Sequence, residues 1–248
     1  MSKVVIITGG SRGIGRATSL LAAKRGYTVC VNFTSNEAAA NKVVKEIESA
    51  GGKAAAVCAG VSNEIAVEAL FKEADKLGPL YGLVNSAGLL PKPDRVENTT
   101  AAKLQRLFEV NVFGSFLCAR EAIHRLSTKR GGKGGAIVNL SSVAAMLGGA
   151  GRTIDYAATK AAIEIFTLGL AREVAEEGIR VNCVRPGPVR TEMLDNPNQP
   201  GRLAEMSQAV PMKRVGEPIE IANAIIWLLS DEASFATGAT LAVSGGRA

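Results

Sequence analysis

The chain has 248 residues, 47% hydrophobic but only 4% aromatic, and 29 basic against 23 acidic side chains give it a formal net charge of +6. That length buries a substantial core, and no apolar run approaches a membrane span or a signal peptide, so a soluble protein of the reducing cytosol is expected. A single histidine, His124, nearly removes histidine triads and zinc sites, while Cys30, Cys58, Cys118 and Cys183 lie scattered in apolar segments and read as buried thiols.

The elements alternate along the chain. "KVVIIT" is a buried-strand run, followed by "GIGRATSLLAAKRG" with helical periodicity and a glycine stop. Next come the strand "YTVCVNF", the amphipathic helix "NEAAANKVVKEIESAGG", the strand "KAAAVCA", the helix "NEIAVEALFKEADKLG" and the strand "YGLVNSA". A long helix is predicted from Thr100, then the strand "GAIVNLS", a helix holding Tyr156, the strand "IRVNCVRP", the helix "PIEIANAIIWLLSDEA" and the strand "TLAVSG". This alternation predicts an α/β fold, one doubly wound Rossmann domain over 1–248 with about seven mostly parallel strands and helices on both faces. The irregular stretch 186–216, rich in proline, glycine and asparagine, reads as a substrate loop or lid. The densest basic stretch, "HRLSTKRGGKGG", suits a helix C-terminus and its loop, and with no aromatic interleaving it gives no reason to expect nucleic acid.

Between the first strand and first helix sits "TGGSRGIG", residues 8–15. Glycines there permit a tight turn and let the main chain approach a pyrophosphate drawn to the helix N-terminus. The second strand ends in "VCVNFTS", without the carboxylate that NAD-binding folds place against the ribose hydroxyls. A missing carboxylate at Thr34 and a positive charge at Arg12 favour NADP, with NAD the less favoured cofactor.

"DYAATKAAIE" puts a tyrosine and a lysine one turn apart on a helix of small residues. Taken with "TGGSRGIG", "NSAG" at 85–88, "NVFG" at 111–114, "NLSS" and "RPGPVRT", the chain resembles the short-chain dehydrogenase/reductase family over essentially its whole length. The resemblance implies a catalytic tetrad of Asn111, Ser142, Tyr156 and Lys160. It places the cofactor on Gly9, Ser11, Arg12, Ile14, Gly15, Thr34, Asn85, Ala87, Gly88, Tyr156, Lys160, Pro186, Gly187 and Thr191. No metal is implied. Ser86, Gly60 and Ser244 depart from the family pattern at cofactor-side positions, where loss of one hydrogen-bond acceptor costs about 1 kcal/mol.

Reduction of a ketone needs a hydride on carbon and a proton on oxygen. With no histidine at hand, a phenol serves if its pKa of about 10 falls by about 3 units, which takes roughly 4 kcal/mol of preferential stabilisation. Lys160 is expected to supply part of it. By resemblance Lys160 also holds the nicotinamide ribose, Ser142 the carbonyl oxygen, and Asn111 a water that replenishes the proton.

The expected function is hydride transfer between NADP(H) and a carbonyl or secondary alcohol. An inactive NADP-binding regulator is the alternative, opposed by the complete tetrad; a methyltransferase would have no use for Y-x-x-x-K. Within the enzyme class the resemblance spreads over glucose-type sugar dehydrogenases and carrier-bound 3-oxoacyl reductases. Glu176 and Glu177, where carrier-dependent members often carry a basic residue, argue against an acidic carrier. Substrate choice falls to 89–98, 143–155 and 188–212, and a homotetramer packed through Thr100–Thr128 and Asp155–Glu177 is implied.

Overall fold

The computed structural model describes residues 3–192, 194 and 201–247, with the side chain of Arg202 left out. Among them, seven parallel strands form one sheet in the order β3-β2-β1-β4-β5-β6-β7: β1 Val4–Thr8, β2 Thr28–Phe33, β3 Lys53–Cys58, β4 Leu80–Asn85, β5 Gly135–Leu140, β6 Ile179–Pro186 and β7 Thr240–Val243. The reversal of winding between β1 and β4 opens a crevice at the C-terminal strand ends, where ligands bind in open α/β sheets.

The sheet is buried on both faces, and β1 shows how. Val4 and Ile6 point into one core with α3 (Glu64–Asp75), α5 (Gly114–Leu126) and α7 (Ile154–Val174). Val5 and Ile7 point into the other with α1 (Gly13–Lys24), α2 (Glu37–Ser49) and α9 (Pro218–Leu229). Side chains alternate across a strand, so a strand covered on both sides reads as one unbroken apolar run. The helices start where short polar residues accept from the first turn: Asn36 caps α2 through Ala39 N, and Asn63 caps α3 through Ala66 N, each at 2.9 Å.

Three sequence expectations need correction. The helix predicted from Thr100 is three pieces: α4 Ala101–Phe108, a π-helical turn Glu109–Phe113, and α5. The region read as irregular after β6 carries α8, Arg202–Gln208, and a short α6, Ala144–Leu147, precedes the tyrosine helix. Cys58 is exposed rather than buried, because β3 is an edge strand and Cys58 its last residue; the other three thiols are buried. Part of the 186–216 loop, residues 193 and 195–200, lies outside the described residues. No described helix is long and apolar enough to cross a membrane.

Candidate active site

The glycine turn is shaped by close approaches that leave no room for side chains. Gly9 has φ +62°, and a Cβ there would lie 3.0 Å from Ala87 Cα. A Cβ on Gly15 would sit 2.2 Å from the Gly9 carbonyl oxygen, so α1 can start against its own turn only with glycine. The turn is tied down by residues the sequence reading missed. Thr8 Oγ1 accepts from the Ser86 and Ala87 N–H groups at 3.0 Å, which fixes the β4 turn to β1. Asn32, buried in β2, accepts from Gly9 N at 3.3 Å and donates to the Ala59 carbonyl at 2.9 Å.

Helix α1 begins at this turn with no acidic residue in its first turn and no side chain capping it. Its free N–H groups and positive dipole end face the turn. Arg12 is the N-cap residue; its guanidinium is exposed and makes no hydrogen bond or ion pair among the described residues. Ser11 is buried and Ile14 partly so. Thr34 is exposed just past β2, followed by exposed Ser35 and by Asn36, so no carboxylate stands at the end of that strand.

Asn85 ends β4 at the turn, with its side chain directed inward. Its amide donates to Asn139 Oδ1 at 2.9 Å and to the Ser115 carbonyl at 3.3 Å, pointing into the core. Asn139 continues the chain to Thr167 Oγ1 at 2.9 Å. Buried amides take such partners because an unpaired one costs about 1–3 kcal/mol. Ala87 and Gly88, by contrast, line the cleft: a Cβ on Gly88 would lie 3.4 Å from Asn111 Oδ1 and 3.6 Å from Lys160 Nζ. Across the cleft, Thr191 packs against Gly13, where an added Cβ would be 3.2 Å from its Cγ2. Gly187 lies so close to Ser244 that a Cβ would approach its Cα to 2.7 Å.

Asn111 sits in the π-helical turn, buried, and holds the chain after β4 on both sides. Its Oδ1 accepts from Leu89 N at 2.7 Å, and its Nδ2 donates to the Leu89 carbonyl at 3.0 Å and to Thr159 Oγ1 at 3.1 Å. Thr159 in turn donates to the Tyr156 carbonyl at 2.8 Å. A π turn inserts one residue and re-aims the side chains around it, a device frequent at functional sites.

Tyr156 and Lys160 share a face of α7. Lys160 is buried, its Nζ donates to the Leu140 carbonyl at 2.8 Å and lies 5.7 Å from the Tyr156 ring centroid. Ser142 accepts from Ala144 N at 3.2 Å and hydrogen-bonds toward the phenol. The second serine of the pair therefore faces the tyrosine. Ser141 turns away to Glu164 Oε1 at 2.6 Å.

Burial pushes the Tyr156 phenol up to about 12, and the hydrogen bond from Ser142 only partly offsets this, although the ring keeps some exposed surface. Lys160 is pushed down to about 8 by burial, with the Cys183 thiol pulling weakly the other way. The protein groups alone thus hold the phenol protonated, with burial the larger cause and the Ser142 hydrogen bond the smaller.

Sequence reading also missed the surroundings of Tyr156. Asp155 accepts from the Tyr156 N–H at 2.8 Å through one oxygen, and its other oxygen lies 3.1 Å from Lys103 Nζ of α4. The Asp94 N–H donates to the Arg152 carbonyl at 2.7 Å, joining 89–98 to the loop before α7. An acid directly before the tyrosine and a lysine on a neighbouring helix were the available signals.

Known proteins resemble this arrangement. Residues 9–248 match the family model described as enoyl-(acyl carrier protein) reductase. The chain is 51% identical over 245 residues to the uncharacterized oxidoreductase YgfF of Escherichia coli, covering 98% of this chain and 99% of that one. It is 39% identical over 247 residues to the 3-oxoacyl-[acyl-carrier-protein] reductase of Synechocystis sp., covering 99% and 96%. The crystal structure of a blue fluorescent protein from a metagenomic library in complex with NADPH matches with a TM-score of 0.90 at 33% identity, covering 99% of this chain and 98% of that one. With the glycine turn at the β1–β4 crevice and the tyrosine–lysine helix beside it, the chain belongs to the short-chain dehydrogenase/reductase family of oxidoreductases.

Proposed function

We propose that this chain transfers a hydride between NADP(H) and a carbonyl or secondary alcohol, with Tyr156 as general acid and base. The observation that carries the reading is the meeting of four side chains from three segments: Asn111 and Lys160 beside Gly88 and, on the Lys160 face of α7, Tyr156 with its partner Ser142. The residues present fit a dinucleotide. Gly9, Gly13 and Gly15 leave the main chain of the turn open at an uncapped helix N-terminus, and Arg12, without a partner among the described residues, puts a cation beside it. Exposed Thr34 in place of a carboxylate admits a 2′-phosphate, and a relative of this fold is solved with NADPH. Such a cofactor, when bound, supplies or accepts the hydride and adds positive charge near the site.

The chain's own residues do the rest. Tyr156, protonated at neutral pH, gives its proton to the carbonyl oxygen in reduction and takes it back in oxidation. Ser142 holds that oxygen through a hydrogen bond that strengthens as negative charge grows. Lys160 brings a cation to the phenolate left behind, and Asn111 shapes the turn at Leu89 that borders the site. The sheet acts as one catalytic domain, with 186–216 as the substrate loop, and the inactive-regulator alternative leaves this set of buried groups without a purpose.

Within the class, reduction of a 3-oxoacyl thioester is favoured over sugar oxidation by the Synechocystis relative. Glu176 and Glu177 weigh less against an acidic carrier than their sequence implies. Glu177 accepts from Ser127 Oγ, and Lys129 Nζ lies 3.9 Å from Glu176 and 4.0 Å from Glu177. Exposed Phe113 of the π-helical turn, Phe116 of α5 and Ile165 and Leu168 of α7 support assembly through these helices, as a homotetramer would need. An absorbance assay of the full chain with NADPH and NADH over 3-oxoacyl esters, sugars, steroids and simple ketones tests the proposal. Turnover with NADPH is expected; no turnover of any carbonyl with either cofactor would overturn it.

A further inference from the structure

A strand paired on both sides in a parallel sheet seldom carries a buried arginine, and the sheet-facing side of a helix seldom carries glutamate, unless each has a partner. Arg185 of β6 and Glu164 of α7 are such a pair, with side chains only 16% and 14% exposed. Nε donates to Oε1 at 2.7 Å and Nη2 to Oε2 at 2.6 Å, two parallel bonds that fix direction as well as distance. A buried pair of this kind stabilises no more than a well-packed apolar pair would, so stability alone does not explain it.

A third group gives the pair its meaning. Ser141, buried at the end of β5, lies with Oγ 2.6 Å from Glu164 Oε1 and 3.1 Å from the Lys160 carbonyl oxygen. Each member adjoins the site: Ser141 precedes Ser142, Arg185 precedes Pro186 and Gly187, and Glu164 stands one helical turn beyond Lys160. Main-chain bonds from Ser141 N to the Val184 carbonyl (2.9 Å) and from Val143 N to the Pro186 carbonyl (3.0 Å) hold the two strand ends side by side. Helix α7 meets them at this level through Lys160 on Leu140 and through the Ser141–Glu164–Arg185 triad.

We infer that Glu164 and Arg185 are positioning residues, which lock α7 to the ends of β5 and β6 so that Tyr156 and Lys160, Ser142, and the Pro186–Gly187 turn keep the separation that proton and hydride transfer require. This rests on the oxidoreductase reading above. Burial opposes the charge on Glu164, but the hydrogen bonds from Arg185 and Ser141 outweigh it and hold the carboxyl below its ordinary value. Arg185 is held above its own by Glu164. The pair stays ionised through the working range and stores no proton; it acts through the residues it holds.

The test uses the full chain and a carbonyl reduced by the wild type. Glu164→Gln keeps the shape and deletes the charge, while Arg185→Lys keeps the charge and loses the fork. Each is expected to lower kcat by about tenfold or more, since small misplacements of reacting groups cost up to about a hundredfold. KM for the carbonyl, and Kd for NADPH read from the cofactor's own fluorescence, are expected to stay within about twofold. The reversed pair, Glu164→Arg with Arg185→Glu, is expected to recover at least about a third of the lost kcat, as coupled charges do. Should the charge variants fail to fold, Ser141→Ala removes one hydroxyl and is expected to lower kcat about threefold or more by the same misplacement. A lowered Tm with kcat unchanged in the folded variants would overturn the inference, and so would Ser141→Ala at wild-type kcat. Tyr156→Phe, run alongside, separates the two proposals. If it keeps turnover, the oxidoreductase reading fails. If it is inactive while the Glu164 and Arg185 variants are normal, only the positioning role fails. A wild type that reduces nothing fails both.

Discussion

The turn after β1 and the strand ends around α7 solve opposite problems. The first is built from what is missing: glycines at 9, 13 and 15, a helix start without a cap, a strand end without a carboxylate. The second is built from side chains that resist burial, namely a phenol, an ammonium, a carboxylate and a guanidinium. A surface made of main chain tolerates changes in the side chains that flank it, which fits the departures at Gly60, Ser86 and Ser244. It tolerates no added Cβ. The side-chain cluster behaves the other way: its backbone is ordinary helix and strand, and each functional group depends on its neighbours.

The largest expected effect falls on the cluster. Tyr156→Phe should lower kcat by about 10²–10⁴-fold while NADPH still binds, as measured by single-turnover kinetics and by fluorescence titration. Turnover near the wild-type value would place the acid elsewhere. Next is the turn. Gly15→Ala puts a methyl group 2.2 Å from the Gly9 oxygen, and overpacking of this kind costs about 1–3 kcal/mol or more. Calorimetry should show a lower Tm and titration no measurable NADPH binding; an intact site would mean that the helix start yields more than the geometry allows.

A smaller effect separates the two cofactors. Arg12→Ala removes the exposed cation at the turn, and loss of a charged hydrogen bond of about 1.5–3 kcal/mol weakens NADPH about 10- to 100-fold. Binding of NADH should change less than about twofold, and equal losses for both would show that Arg12 does not touch the 2′-phosphate.

The smallest effect is on stability, and it sharpens the contrast. Lys160 has a folded pKa of about 8 against an ordinary 10.5. Below about pH 8 it is charged in both the folded and unfolded chain, so its burial cost is then full; the cost shrinks as pH rises and is gone above the ordinary value. Lys160→Met should therefore raise Tm at pH 7 by about 2–4 °C, roughly 1 kcal/mol for a chain of this size, with a smaller gain at pH 10. A gain that grows with pH would contradict the assigned direction. The same titration should make reduction fall above about pH 8, as the ammonium beside Tyr156 loses its proton.

Much of this was legible in the sequence because the signals were periodic or exact in spacing. Seven apolar runs gave seven strands, and the glycine, asparagine, serine and tyrosine motifs came to one end of the sheet in the predicted order of elements. What escaped depended on contacts between distant segments. Nothing near Asn85 tells that its amide is consumed by Asn139, 54 residues on. Glu164 and Arg185 each look out of place in apolar surroundings, yet only the packing of α7 on β6 makes them partners. The phenol's high pKa likewise follows from how deeply its hydroxyl is enclosed, which no local pattern records.

The π-helical turn at Glu109–Phe113 carries a last consequence. An α-helix advances about 100° with each residue, so deleting one residue from this turn would spin everything before it through nearly a third of a circle. The segment from Ala101 to Leu126 is thus phase-locked: it accepts exchanges of residue far more readily than any change of length. Shortening or lengthening it by one would swing Asn111 off the Leu89 loop while leaving the composition, charge and apolar surface of the chain almost untouched.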